Sequence, residues 1–305
     1  MIVPARDAAA TLPQTLAAIV AQRLEGEFEM IVVDDASTDD TGRIAAAAGA
    51  TVLRNSAPLG PGRSRNLGVA AAAGPALAFT DADCTPAPGW LAAGVRALDH
   101  AGLVQGRVEP DPEVEFGPFD RTLWATSESG LFRSANLFVC RDVFDRVGGF
   151  DDGLLALAGA HFGEDVVFGW RARRAGVTTS FCDQALVYHA VLKRGPAAFV
   201  RERRREGLFA ILTREVPELR ETVLYRHWFL SRRSASFALA LGGALVSVTS
   251  RVPAVAVVAL LPYGRLVLRD GIASGARVAL VRIEGDAVGF ASLVRGSARA
   301  RTLVL

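Results

Sequence analysis

Ala76-Leu77-Ala78-Phe79-Thr80-Asp81-Ala82-Asp83 is the stretch on which the fold reading turns. Five residues without charge run straight into two carboxylates placed two positions apart. A short apolar run of this length fits a strand buried on both faces, as in a sheet covered by helices. In open α/β sheets ligands bind beyond the carboxyl ends of the strands, so Asp81 and Asp83 emerge where chemistry is done. Hard oxygen donors in such a place suit Mg²⁺ or Mn²⁺, which in turn would bridge the diphosphate of a nucleotide. A solvated turn is the plain alternative for an isolated Asp-x-Asp.

Outward from this strand, the pattern alternates between strand and helix as βαβ units do. Ile2–Pro4 reads as a short first strand, Leu12, Leu16, Ile19 and Val20 as the apolar stripe of a helix, and 28–33 as a second strand. An Ala-rich helix over 39–48, a strand at 51–53 and a helix over 64–73 lead to the central strand. Further strands are expected at 103–108, 135–140, 177–182 and 185–188, with a helix over 164–175 and a basic helix over 196–212. The second strand also ends in acid, at Asp34-Asp35. Asp35 is placed to accept hydrogen bonds from a base edge or a ribose, while Ser37, Thr38 or Asp39 can cap the helix that follows. Glu164 and Asp165 open a helix, where the dipole stabilises carboxylates. If the chemistry is group transfer to a hydroxyl, Asp165 is the candidate base, with Glu164 supporting it or meeting the acceptor. His189 closes the last strand and is read as a further metal ligand, with a surface histidine as the alternative. Arg201 with Arg204 or Arg205 would clamp phosphate from one helical face, against the default of a solvated basic helix.

The chain has 305 residues, half of them apolar, enough for a large α/β domain and an appendage. The three cysteines, Cys84, Cys140 and Cys182, show no paired spacing and read as reduced core residues. A net charge of +2 conceals a division: residues 1–192 carry 15 basic and 24 acidic side chains, and residues 193–305 carry 19 and 8. An acidic half can hold metal and a basic half can face phosphate or anionic lipid. The basic half lacks interleaved aromatics, which argues against nucleic acid. No export signal opens the chain, and the brevity of the first strand suggests that the true start precedes Met1. Residues 234–250 and 252–264 are free of charge on either side of Arg251. Each run is short of the roughly 20 residues of a spanning helix, and one straight span would leave Arg251 mid-bilayer. A helical hairpin at about 234–264, dipping into the membrane or lying on it, fits better, with a buried helical pair as the alternative. Arg226, Arg232 and Arg233 precede the run and favour the cytoplasmic, anionic face.

The ordered set Val-Pro-Ala-Arg-Asp at 3–7, Val-Asp-Asp-Ala-Ser-Thr-Asp-Asp-Thr at 33–41, Gly-Arg-Ser-Arg-Asn-Leu-Gly at 62–68, Asp-Ala-Asp at 81–83, Gly-Gly-Phe-Asp at 148–151 and Gly-Glu-Asp at 163–165 resembles family 2 glycosyltransferases over about residues 1–210. The resemblance implies a GT-A nucleotide-diphospho-sugar transferase fold, a mixed and mostly parallel sheet flanked by helices, and inversion at the anomeric carbon. It implies that Pro4, Arg6 and Asp35 line the nucleoside pocket, that Arg65 lies near the nucleotide, that Asp81 and Asp83 serve ribose and metal, and that Asp165 is the base. The processive members carry a Gln/Arg-x-x-Arg-Trp signature, and the nearest stretch here, Arg201–Gly207, has no tryptophan; single-sugar addition is the expectation.

The expected organisation is a catalytic domain over 1–213 and a C-terminal helical, membrane-associated region over 214–305. The expected activity is metal-dependent transfer from a nucleotide-sugar donor to a hydroxyl acceptor, such as a lipid-linked or cell-envelope glycan. A nucleotidyltransferase acting on a sugar phosphate is the second reading, disfavoured by Ala5-Arg6-Asp7-Ala8 where a Gly-rich basic loop is wanted. A non-catalytic membrane scaffold that binds nucleotide sugar is the third.

Overall fold

Residues 1–151 and 161–305 are described by a computed structural model. They fall into two units: 1–115 with 122–192, and 116–121 with 193–305. The division comes at Leu192, earlier than the boundary at 213 expected from sequence, because the basic helical stretch after it packs within the second unit, against its long C-terminal helix.

The first unit is built on eight strands: β1 (Ile2–Ala5), β2 (Ile31–Asp34), β3 (Thr51–Arg54), β4 (Ala76–Thr80), β5 (Cys84–Pro86), β6 (Leu103–Pro110), β7 (Asn136–Cys140) and β8 (Thr179–His189). They lie in the order β3-β2-β1-β4-β7-β6-β8-β5. The β3-β2-β1-β4 side is parallel, β7 runs antiparallel to both β4 and β6, β6 and β8 are parallel, and β5 closes the edge antiparallel to β8. This is the mixed sheet the resemblance implies. The helices of this unit are α1 (Leu12–Val20), α2 (Thr41–Ala47), α3 (Pro61–Ala71), α4 (Trp90–Ala97), α5 (Arg141–Val147) and α6 (Glu164–Arg174). Ile2, Val3, Val32, Val33, Phe79, Leu103, Leu137 and Phe138 have no exposed surface, which is why these strands read as unbroken apolar runs rather than alternating ones.

Two packing features set the functional ends of the sheet. Phe79 on β4, Phe144 on α5, Phe150 and Phe168 on α6 form one aromatic cluster with ring centroids 5.0–5.9 Å apart. It fastens the helix that begins Glu164-Asp165 to the strand that ends at Asp81, and losing one such ring typically costs about 3–5 kcal/mol. Next, β8 is one strand, not the two expected at 177–182 and 185–188. Its register against β6 slips between Gly106 and Arg107, so that Gly106 faces Cys182 and Arg107 faces Leu186. The Asn136 amide N–H groups donate to Arg107 O and Ala185 O, and its carbonyl accepts from the Trp90 indole. Carbonyls freed by the slip are thereby satisfied in the core, and β8 continues to His189.

The second unit is helical: α7 (Pro196–Glu202), a 3₁₀ stretch (Arg203–Gly207), α8 (Leu208–Glu215), α9 (Leu219–Thr222), α10 (Arg232–Ser250), α11 (Pro253–Ser274) and α12 (Ala276–Ala300). The single basic helix expected over 196–212 is thus broken by a tighter turn at 203–207. Helices α10 and α11 form the hairpin expected near 234–264, meeting closely where Gly243 faces Ala259. A polar network ties α10, α11 and α12 together: Arg233 pairs with Asp270 and Asp286, Arg282 with Asp270, and the Tyr263 hydroxyl donates to Asp286 at 2.8 Å. Arg233, expected among the basic residues that precede the hairpin at the anionic face, is instead half-buried and engaged by Asp270 and Asp286. Among the described residues no helix is long and apolar enough to cross a membrane.

Candidate active site

The loops after β1 and β2 are stitched to each other. Asp7 accepts from Thr38 N and Oγ1, Asp7 N–H donates to Ser37 Oγ, and Ala8 N–H to Thr41 Oγ1. Asp7 and Ala36 both adopt left-handed backbone, φ 46° and 57°, a conformation that costs a non-glycine residue about 1–2 kcal/mol and that these bonds hold in place. Helix α2 has Asp40 as its N-cap, without a side-chain capping bond, and Asp39 just before it accepts from Thr41 N–H at 3.0 Å. Pro4 sits within β1, opposite Val33. Arg6 follows it, with its side chain half exposed and 3.8 Å from Asp7.

Asp35 is 4% exposed, and its oxygens accept from Asn55 Nδ2 at 2.7 Å and from the N–H groups of Leu59 and Gly60 at 2.8 Å each. Burial works to raise its pKa, but those three donors, with Arg6 behind them, outweigh it and hold the carboxyl below the usual aspartate range. The residue therefore organises the loop that leads into α3, a role beyond the nucleoside contact inferred from sequence. Asn55 also donates to Ser64 at 3.1 Å, next to Arg65.

Arg65 is the hinge of the site. Its side chain is 3% exposed; Nη2 donates to Asp81 at 2.5 Å, and Nη1 lies 3.5 Å from Glu164. Burial opposes its charge, and Asp81, Glu164 and Asp165 more than compensate, so the guanidinium is held more firmly protonated than usual. Its Nε and Nη1 make no hydrogen bond among the described residues, leaving two buried donors beside the acidic strand ends. Burial, then Asp165 and Asp81, push Glu164 above the ordinary glutamate range, with Arg65 pulling the other way. Gly163 precedes this pair in left-handed backbone, φ 78°, the conformation glycine adopts without cost. Asp165 accepts from Val166 N–H at 2.8 Å through one oxygen, and from Ser134 N–H at 3.1 Å and Ser134 Oγ at 3.3 Å through the other. Hydrogen bonds join Asp35 to Asn55, Asn55 to Ser64 and Arg65 to Asp81, and an ion pair joins Arg65 to Glu164, with Asp165 alongside.

Asp83 and His189 meet at the far edge. Their backbones are held by the β5–β8 ladder, where Cys84 faces His189 and Ala190 N–H donates to Asp83 O at 2.9 Å. His189 Nδ1 lies 2.8 Å from Ala190 O, a partner that can only accept, so this nitrogen carries the proton. The lone pair then sits on Nε2, 3.6 Å from Asp83 Oδ2. Asp83, Cys84 and His189 offer three ligand atoms within 4.8 Å of one another. Burial, Asp81 and Asp83 push the Cys84 thiol well above its ordinary value, and its soft sulfur is a poor match for Mg²⁺ or Mn²⁺. A carboxylate oxygen and an imidazole nitrogen would suit Mn²⁺ or Mg²⁺.

Arg201 and Arg204 belong to the second unit, exposed, on either side of the junction between α7 and the 3₁₀ stretch. Their helical register is interrupted between 202 and 203. Ser134 and Asn55 were not legible as site residues: neither lies in a motif, and each acts on a carboxylate 31 or 20 positions away.

Residues 1–150 match the family Glycosyl transferase family 2. The chain belongs to this family. It is 30% identical over 205 residues to the glycosyltransferase AglE of Haloferax volcanii, a match covering 62% of this chain and 66% of that one. It is also 30% identical over 211 residues to the pre-mycofactocin glycosyltransferase of Mycobacterium tuberculosis, covering 62% of this chain and 42% of that one. The chain thus spans less than half of one curated relative and about two thirds of the other. In fold it is similar to the mannosyltransferase PcManGT of Pyrobaculum calidifontis, solved with GDP-Man and Mn²⁺, at a TM-score of 0.59 and 18% identity over 98% of this chain and 86% of that one.

Proposed function

We propose that this glycosyltransferase moves one sugar from a nucleoside-diphosphate donor to a hydroxyl acceptor with inversion at the anomeric carbon. The observation that carries the reading is the Arg65 bridge from Asp81 to Glu164, which sets the donor-binding end of β4 beside Asp165, the carboxylate suited to be the base. Asp165 takes the proton of the acceptor hydroxyl. The acceptor oxygen bonds to the anomeric carbon as the bond from that carbon to the leaving phosphate oxygen breaks, and the electron pair departs with the diphosphate. Ser134 and Val166 fix the two oxygens of Asp165 for that transfer. Asp81, steadied by Arg65, takes the donor's ribose. Asp83 and His189 would hold Mn²⁺ or Mg²⁺, whose charge would offset that of the leaving diphosphate. Membership of this family favours sugar transfer over the nucleotidyl reading.

The second unit supports an acceptor presented at a membrane. Leu245, Val248, Val257, Val258, Leu260 and Leu268 on α10 and α11 are exposed by 52–78%, an apolar surface of the kind that marks a membrane or protein contact. Arg226, Arg232 and Trp228 stand exposed before the hairpin, the interfacial composition expected at the cytoplasmic face. A lipid-linked or envelope glycan is the acceptor class that fits.

Donor hydrolysis screened across nucleotide sugars, with and without Mn²⁺, tests the reading. One donor should be turned over in Mn²⁺, and Asp165→Asn should bind it as well as wild type while turnover falls by about 10²–10⁴-fold. Wild-type turnover in that variant removes Asp165 from the mechanism; release of pyrophosphate from a sugar phosphate and a nucleoside triphosphate would establish the nucleotidyl reading instead.

A further inference from the structure

The chain between β6 and β7 ends in a short stretch of unusual backbone. Gly130 and Phe132 both adopt left-handed conformations, φ 74° and 43°. Glycine does so freely, but for an aromatic side chain the region is sparsely populated and costs energy. Such a residue persists only where its surroundings over-determine it, and residues of this kind gather at functional sites. Phe132 lies two positions before Ser134, whose N–H and Oγ donate to Asp165.

What holds Phe132 is the face of α6 that begins at Asp165. Asp165, Gly169 and Arg173 follow one another at intervals of four and share that face. The Phe132 ring, 4% exposed, lies against Gly169 so closely that a methyl group there would overlap it. Glycine weakens a helix interior, and here, one turn beyond Asp165, it makes room for the ring. The guanidinium carbon of Arg173 lies 4.9 Å from the centres of both the Phe132 and the Trp170 rings, which meet edge to face at 6.4 Å. Arg173 is itself fixed by Glu128 and by Thr179 Oγ1 at 3.0 Å. The Trp170 indole N–H donates to Gly130 O at 2.9 Å. The loop is therefore fastened to α6 on both sides of Phe132, at Gly130 by Trp170 and at Ser134 by Asp165.

We infer that Phe132 is a positioning residue for the proposed transfer: wedged on Gly169, it holds the loop in the strained form that aims the Ser134 N–H and hydroxyl at Asp165. The inference rests on Asp165 as the base. Helix α6 carries the carboxylate and, one turn on, the seat of the loop that orients it. The extended or right-handed backbone that an aromatic residue ordinarily takes would redirect the chain two residues before Ser134, and one oxygen of Asp165 would lose both donors.

The test combines kinetics with hydrogen exchange of the full chain. The substrate is the nucleoside-diphosphate sugar that wild type hydrolyses fastest in Mn²⁺ from a panel of UDP- and GDP-linked hexoses. Phe132→Ala removes the ring, and Gly169→Ala displaces it from the other side. Each should lower kcat by about 10–100-fold with the donor KM unchanged, and Phe132→Tyr, which keeps the ring, should recover most of it. Amide exchange over 130–135 should quicken in the first two variants and not in the third. In an Asp165→Asn background, Phe132→Ala should lower kcat no further, because nothing remains for it to position. Wild-type turnover in Asp165→Asn strikes the base assignment on which the inference rests. If Asp165→Asn is impaired while Phe132→Ala and Gly169→Ala keep wild-type kcat, or lose it together with donor affinity, the positioning role alone is overturned. Exchange over 130–135 that is unchanged in both alanine variants overturns it as well, whatever the donor.

Discussion

Replacing Arg65 by Gln tests whether the acidic strand ends form one site. Arg65 is 3% exposed, while its partners Asp81 and Glu164 are 26% and 15% exposed. Breaking a buried ion pair by removing one member costs about 3–5 kcal/mol, since the other charge is left uncompensated. Water reaches a quarter of Asp81, which places the expected loss near the lower end, about 3 kcal/mol. The loss should also depend on pH. Glu164 already lies above its unfolded value in the fold, so the stability its proton brings is present in full at acid pH and is lost as the pH rises through the folded value. Without Arg65 that folded value rises further, and the deficit should be smaller at about pH 5 than at about pH 8. Lys at this position should not restore stability, because one ammonium cannot reach both carboxylates as a fork does. Urea unfolding of wild type, Arg65→Gln and Arg65→Lys at the two pH values measures this directly. A loss below about 1 kcal/mol, or one equal at both pH values, would refute the bridge as the element that joins β4 to α6.

Two further outcomes follow from the same geometry. Ser134→Ala removes the hydroxyl donor to Asp165 but keeps the backbone one; turnover should fall about tenfold with the donor KM unchanged, and Thr should recover most of it, whereas equal losses in kcat and donor affinity would mark Ser134 as merely structural. His189→Gln should weaken Mn²⁺ binding by about 10–100-fold in a calorimetric titration, while Cys84→Ser should leave it close to wild type; the reverse order would show that the thiol, not the imidazole, holds the ion.

Much of this arrangement was legible in the sequence because it rests on local patterns. Strand β4 was read to the residue, since an uncharged run stopped by Asp81 has one interpretation, and helix α6 followed from Gly163 and the acids after it. What escaped depends on contacts distant in sequence. Strand β8 was read as two pieces because Asp183-Gln184 looks like a turn; it is a register slip whose exposed side chains are tolerated because Asn136, some 47 residues earlier, satisfies the freed carbonyls. The stretch 196–212 was read as one helix because its composition is uniform, and nothing in composition separates an α-turn from the 3₁₀ turn at 203–207. Position at a strand end makes Asp35 a candidate for the nucleoside, but cannot reveal Asn55, Leu59 and Gly60, whose N–H groups donate to it.

The adjacent carboxylates at 164 and 165 illustrate how such contacts divide roles between residues of nearly identical chemistry. Glu164 points towards Arg65 in a site where burial and two neighbouring acids favour its protonated form. Its interaction with Arg65 makes it a fastening between α6 and the end of β4. Asp165 instead receives the Ser134 and Val166 N–H groups, donors that stabilise a carboxylate and orient it without neutralising it. Neighbouring acids with different environments can thus serve different functions. The proposed base is therefore Asp165, and Glu164 is proposed to fix where that base stands. Exchanging the two residues, Glu164→Asp with Asp165→Glu, would keep both charges and lose both fits: the shortened side chain at 164 withdraws from Arg65, and the lengthened one at 165 overreaches Ser134.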